Sequence, residues 1–145
     1  MEQHKGVNIL LVEDNPDHAE LTLRALEGSA PVSKIYWVKD GEEALEFVSQ
    51  GRDADGARAP RPGLILLDIK LPKLSGLEVL RRIKADERLK TIPVVMLTTS
   101  DRDVEVMECY RAGANSFVTK PVKFAEFVRK IESVKLYWTM INDPA

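Results

Sequence analysis

The chain has 145 residues, 44% of them apolar, which suits one domain of ordinary size able to bury a core without covalent staples. Its 21 basic and 23 acidic side chains leave a net charge of -2, which disfavours the sustained attraction to phosphate backbones that a nucleic-acid binder needs. Cys109 is the only cysteine, the start MEQHKGVNILLVED lacks a signal-peptide layout and no apolar run would span a bilayer, so disulfide frameworks, cysteine-rich zinc sites and membrane spans are excluded and a cytoplasmic protein is expected.

Taken in chain order, VNILLV (7–12) predicts a first strand, and Asn15 followed by Pro16 suits the cap and first position of a helix near 16–28. KIYWV (34–38) predicts a second strand, and Asp40 with Glu43 is spaced as a capping box for a helix near 41–50. The stretch GRDADGARAPRP (51–62) has Gly, Pro and mixed charge without periodicity, which reads as a loop within the domain. LILLD (64–68) predicts the third strand, Ser75 with Glu78 the start of a helix near 76–86, IPVVMLT (92–98) the fourth strand and residues 102–112 the fourth helix. NSFVT (115–119) completes the strands. A fifth helix is predicted over about 123–141 from Phe124, Phe127, Val128, Ile131, Val134, Trp138 and Ile141 at three- and four-residue spacing. The runs at 7–12, 64–67 and 94–97 are nearly continuous Val, Ile and Leu, the pattern of strands covered on both faces. A parallel sheet with right-handed crossovers follows.

Ligands of such sheets gather beyond the carboxyl ends of the strands. Those ends carry Glu13 and Asp14 after the first strand, Asp68 at the third, Thr98 and Thr99 at the fourth, and Lys120 with Pro121 after the fifth. Three carboxylates at one edge repel unless a cation compensates, and Mg²⁺ fits a site of hard oxygen ligands that uses few carboxylates. Zinc would want His or Cys, and neither is suitably placed. A carboxylate can also act as nucleophile and form an aspartyl phosphate, whose charge the metal, Lys120, the Thr98 hydroxyl and nearby backbone N–H groups would neutralise. Taken singly, each residue has a plainer reading: a strand-end carboxylate, helix N-terminal charges, a solvated lysine, a β-branched strand residue. Their joint placement favours the site. His18 reads as a first-turn surface histidine, His4 as part of a disordered amino end, and Cys109 as a small buried apolar residue.

LLVEDNPD, LILLDIKLPKLSGLEVL, PVVMLTTS and GANSFVTKP, in that order, resemble the four motifs of two-component response-regulator receiver domains, and the likeness covers roughly residues 7–140. The resemblance implies one receiver domain over 1–145 with a doubly wound α/β fold, five parallel strands in the flavodoxin-like order 2-1-3-4-5 and five helices. It implies Asp68 as phospho-acceptor, with Glu13, Asp14, Asp68 and the backbone carbonyl of Lys70 serving Mg²⁺, or Mn²⁺ as a substitute. Lys120 would pair with the phosphoryl group, Thr98 would move toward it, and Phe117 would report the change on the surface. Pro121 marks the family's cis peptide bond. Within the family, NPDHAELTLRAL, YWVKDGEEALEF, the loop at 51–62 and LYWTM resemble short cyanobacterial and bacterial phytochrome response regulators. A sensor histidine kinase, with a bacterial phytochrome as candidate, is therefore the expected donor, and a histidine phosphotransfer protein a further partner. With no output domain expected after residue 141, the consequence would be protein–protein binding. Leu136, Tyr137 and Met140 lie off the apolar stripe of the fifth helix and suggest a homodimer through the face made by the fourth helix, fifth strand and fifth helix.

Glu13 stands where aspartate is usual, Phe117 where tyrosine is commoner, and Lys70 two residues after Asp68, where it can lean over the phosphate. That lysine also argues against a haloacid-dehalogenase-like phosphatase, which needs a second aspartate there. The glycine-free turn EDNPD argues against a nucleotide- or flavin-binding module.

Overall fold

The computed structural model describes residues 7–27, 32–53, 55–99 and 104–120, together with 122, 125, 127 and 129. Strands Val7–Val12 (β1), Val32–Val38 (β2), Leu64–Asp68 (β3), Val94–Thr98 (β4) and Ser116–Thr119 (β5) alternate with helices Pro16–Leu26 (α1), Gly41–Gln50 (α2), Gly76–Ala85 (α3) and Val104–Arg111 (α4). All neighbouring strands pair in parallel and the order is β2-β1-β3-β4-β5, as expected. Ala125, Phe127 and Arg129 are helical. The rest of the predicted fifth helix, with Phe124, Val128, Ile131, Val134, Trp138, Ile141 and the interface candidates Leu136, Tyr137 and Met140, lies outside the described residues, as does Pro121. Among the described residues no helix is long and apolar enough to cross a membrane.

The continuous apolar runs have the cause inferred for them: both faces of the sheet are covered. Leu10, Val12, Ile65, Leu67, Val94 and Met96 point to one side and pack with Phe47 of α2, Val79, Leu80 and Ile83 of α3, and Val106 and Cys109 of α4. Ile9, Leu11, Leu64, Leu66, Val95, Leu97 and Val118 point to the other and pack with Ala19 and Leu26 of α1 and with Phe127. The period-2 alternation of a strand divides each run between the two cores. β3 and β4 are buried at every position.

Local signals start the helices. The Asn15 side chain accepts the N–H groups of Asp17 and His18, Asp40 accepts that of Glu43, and Ser75 accepts that of Glu78. The return arm of the capping box is shifted at α2, where the Glu43 carboxylate takes the N–H of Lys39 at 2.9 Å. At α3 no return bond is seen among the described residues, and the Glu78 carboxylate pairs with Arg82 at 3.2 Å.

Gly76 opens α3 against the end of β3, and a Cβ there would stand 2.1 Å from the carbonyl oxygen of Asp68. Only glycine permits that approach. The loop after α2 is held at both ends: Gly51 takes the left-handed cap conformation, Arg52 and Arg58 form an antiparallel bridge, and Arg61 donates to the Arg88 carbonyl and to Thr91 Oγ1.

Candidate functional site

Four segments converge at the carboxyl edge of the sheet. β1 and β3 are adjacent, so Glu13 and Asp14, just past β1, come beside Asp68, the last residue of β3. Thr98 ends β4, and Lys120 follows β5 with its N–H held by the Thr98 carbonyl at 2.7 Å. Together with Asn15, His18, Ile69, Lys70 and Thr99 they line a cleft of about 220 Å³. The sequence-predicted residues Glu13, Asp14, Asp68, Lys70, Thr98 and Lys120 are thus in one place. Phe117 is not in the cleft. It lies half-buried on β5 with its ring edge-on to Tyr110 of α4, centroids 5.8 Å apart.

Lys120 is the hub. Its side chain is 7% exposed, and its ammonium donates to Glu13 Oε1 at 3.0 Å, to Asp68 Oδ2 at 3.1 Å and to His18 Nδ1 at 3.0 Å. Burial works against the charged amine, but hydrogen bonds and charge from Glu13 and Asp68 outweigh it and hold the pKa above the ordinary lysine value.

Glu13 is fully buried. Burial pushes its pKa up to about 7, against the lowering effect of the Lys120 hydrogen bond and with the negative charge of Asp68 adding to the rise. Both of its oxygens have partners within the chain, Oε1 in Lys120 and Oε2 in the N–H of Asn15 at 3.1 Å. Its backbone is fixed as well, the N–H to the Val38 carbonyl and the carbonyl to the indole N–H of Trp37 at 2.7 Å. Asp68 accepts the Lys70 N–H on Oδ1 at 3.2 Å and Lys120 on Oδ2.

Carboxylate oxygens of Glu13, Asp14 and Asp68 all lie within 4.8 Å of one another. Three carboxylates around one buried ammonium, that of Lys120, crowd negative charge at a largely buried edge, and all the cluster's donors are hard oxygens. The residues therefore fit a small divalent cation of the Mg²⁺ or Mn²⁺ kind. Asp14, exposed at the mouth, is the carboxylate with least protein around it.

His18 joins the site although its sequence position suggests a surface histidine, and 41% of its side chain is indeed exposed. Yet its ring meets Lys120. A helical side chain leans toward the N-terminus of its own helix, so a residue in the first turn of α1 hangs over the strand ends. The position in that first turn was legible. The arrival of a lysine from 102 residues away was not.

Comparison with known proteins agrees with this geometry. The model described as the response regulator receiver domain matches residues 9–132. The probable methanogenesis regulatory protein FilR2 of Methanothrix harundinacea is 44% identical over 130 residues, covering 90% of this chain and 82% of that protein. The bacteriophytochrome response regulator RtBRR superposes with a TM-score of 0.80 at 41% identity, over 97% of this chain and 84% of that one. Response regulator Rcp1 of Synechocystis sp. is 36% identical over 90% of this chain and 87% of its own length. Its Mn²⁺-bound form superposes with a TM-score of 0.72 at 34% identity, over 96% and 97% of the two chains. A family match over most of the length, relatives similar over most of both chains and an acidic edge of the right composition lead to one conclusion: this chain belongs to the response regulator receiver domain family.

Proposed function

We propose that this chain, read over 1–145 as one stand-alone receiver, is the phospho-acceptor of a two-component phosphorelay, with Asp68 as the accepting residue. The observation that carries the proposal is the pairing of Asp68 with Lys120 beside the Glu13–Asp14 acidic pair, three chain segments brought to one sheet edge.

Asp68 Oδ1, anchored by the Lys70 N–H, and Oδ2, anchored by Lys120, present the carboxylate in one orientation. One oxygen attacks the phosphorus of a phosphohistidine on the kinase, and the P–N bond breaks as the P–O bond forms. The imidazole leaves with the electron pair. The Lys120 ammonium, held in place beside the carboxylate, donates to a phosphoryl oxygen, and Thr98, buried at the end of β4, offers its hydroxyl to another. Glu13, Asp14, Asp68 and the backbone carbonyl of Lys70 would hold Mg²⁺, which supplies charge neutralisation at the phosphoryl oxygens when bound. The chain catalyses only its own phosphorylation and dephosphorylation.

The output is a change of surface. Thr98 drawn inward frees space next to β5, Phe117 turns into it, and the face made by α4, β5 and the predicted fifth helix alters. The partner at the input is a sensor histidine kinase. The likeness to bacteriophytochrome response regulators favours a phytochrome kinase, in the cytoplasm, and onward transfer to a histidine phosphotransfer protein and homodimerisation through Leu136, Tyr137 and Met140 are the matching outputs.

The test is intact-mass spectrometry after incubation with Mg²⁺ and a small acyl-phosphate donor. A phosphate-sized gain that requires Mg²⁺ and disappears in Asp68→Asn is the expected result. A gain that persists in Asp68→Asn would move the acceptor elsewhere.

A further inference from the structure

An ammonium group has three hydrogens, and the three on Lys120 have three acceptors: Glu13 Oε1, Asp68 Oδ2 and His18 Nδ1. An ammonium can only donate, so in this contact Nδ1 of His18 is the acceptor. Two of these partners are carboxylates on the sheet side. The third comes from α1, across the cleft.

We propose that His18 is a positioning residue for phosphoryl transfer, acting through Lys120; the inference rests on the reading of Asp68 as phospho-acceptor. Two carboxylates hold the ammonium strongly but leave it free to pivot about the line between them. A third contact from outside that line fixes its direction. When the phosphoryl group arrives, the Asp68 carboxylate loses negative charge and its hold on Lys120 weakens. His18 and Glu13 then keep Nζ where the phosphoryl oxygen lands. His18 is itself held: its backbone N–H donates to Asn15 Oδ1 at 3.2 Å, which locks the first turn of α1 to the strand end. Beyond the ring, a second cavity of about 140 Å³ opens between α1 and the site, lined by His18, Leu21, Thr22, Thr99 and Lys120. A lysine released by His18 has room to turn into that space and away from Asp68.

The experiment compares wild type, His18→Leu and His18→Asn in the rate of phosphate gain from a small acyl-phosphate donor with saturating Mg²⁺, as a function of donor concentration. Leucine fills the space without an acceptor. Asparagine places an amide oxygen near the position of Nδ1. The expected result is a loss of about tenfold in the maximal rate for His18→Leu with a smaller change in donor KM, and a rate within about twofold of wild type for His18→Asn. Equal rates in all three, or equal losses in both variants, would overturn the proposal, the second because a missing acceptor would not be the cause. A wild type that gains no phosphate at all would bring down the acceptor reading and this inference with it, an outcome told apart from the others by the wild-type mass alone.

Discussion

Glu13 is a carboxylic acid in a place that does not favour its charge. With the pKa raised to about 7, mainly by burial, the group is about half protonated near neutrality in the metal-free protein. Binding a divalent cation at the acidic edge favours the ionised form, so protons and metal compete. The sign is definite: as pH falls through about 7 the metal meets a protonated Glu13, and the apparent affinity for Mg²⁺ should drop about tenfold between about pH 8 and about pH 6. Calorimetric titration at the two pH values measures this, and Glu13→Gln, which has no proton to lose, should flatten the dependence. An affinity unchanged in wild type over that range would mean that Glu13 stays ionised in the free protein. The same raised pKa has a consequence for folding. Relative to the ordinary glutamate value of 4.5, it contributes stability that is complete below that value and is lost as the pH rises through about 7.

At the scale of elements, the junction of β3 with α3 sets where Asp68 points. Gly76 donates its N–H to the Ile69 carbonyl at 2.9 Å and lies against the Asp68 backbone, so the chain leaves the strand, turns and re-enters a helix within van der Waals reach of the acceptor residue. Gly76→Ala places a methyl 2.1 Å from the Asp68 carbonyl oxygen, backbone against backbone, with no flexible side chain to yield. It should cost about 2–3 kcal/mol in urea denaturation and slow phosphorylation as β3 and α3 move apart. Wild-type stability in that variant would show that the turn relaxes without cost. This element was readable in advance from Ser75 and Glu78, as were the strands from their Val, Ile and Leu runs. The differences at strand ends have local causes. β4 begins at Val94 where an apolar run suggested 92, because Pro93 has no N–H to give the ladder, although Ile92 is buried all the same. β2 begins at Val32, two residues early, because the edge strand opens on the mixed sequence VSK, and pairs with β1 through a register shift between Val7 and Asn8. Strand-end carboxylates and the lysine could be assembled from sequence because the sheet rule says where strand ends meet. His18 could not, since the lean of a first-turn side chain and the bond it makes depend on how far α1 lies from β5.

For the whole molecule, the site is a clasp between pieces that are distant along the chain. Lys120 is 107 residues from Glu13 and 52 from Asp68, and its bonds join β5 to β1 and β3 across the top of β4. An unfolded chain has no such cluster, so a cation that binds the acidic edge binds the native state alone. Linkage then sets the size of the effect: at about 100 times Kd, Mg²⁺ should stabilise the protein by about 2.7 kcal/mol. For a domain of this length that corresponds to a rise in Tm of roughly 5–10 °C. Asp14→Asn is the informative variant, because Asp14 is exposed and its loss leaves the Glu13–Lys120–Asp68 bonds standing. It should melt near the wild-type temperature without metal and lose most of the rise with metal. Melting curves at constant ionic strength separate this from general screening. A Tm indifferent to Mg²⁺ in wild type would mean that the acidic edge holds no cation in the resting protein, and that Lys120 holds the carboxylates together until a phosphoryl group arrives.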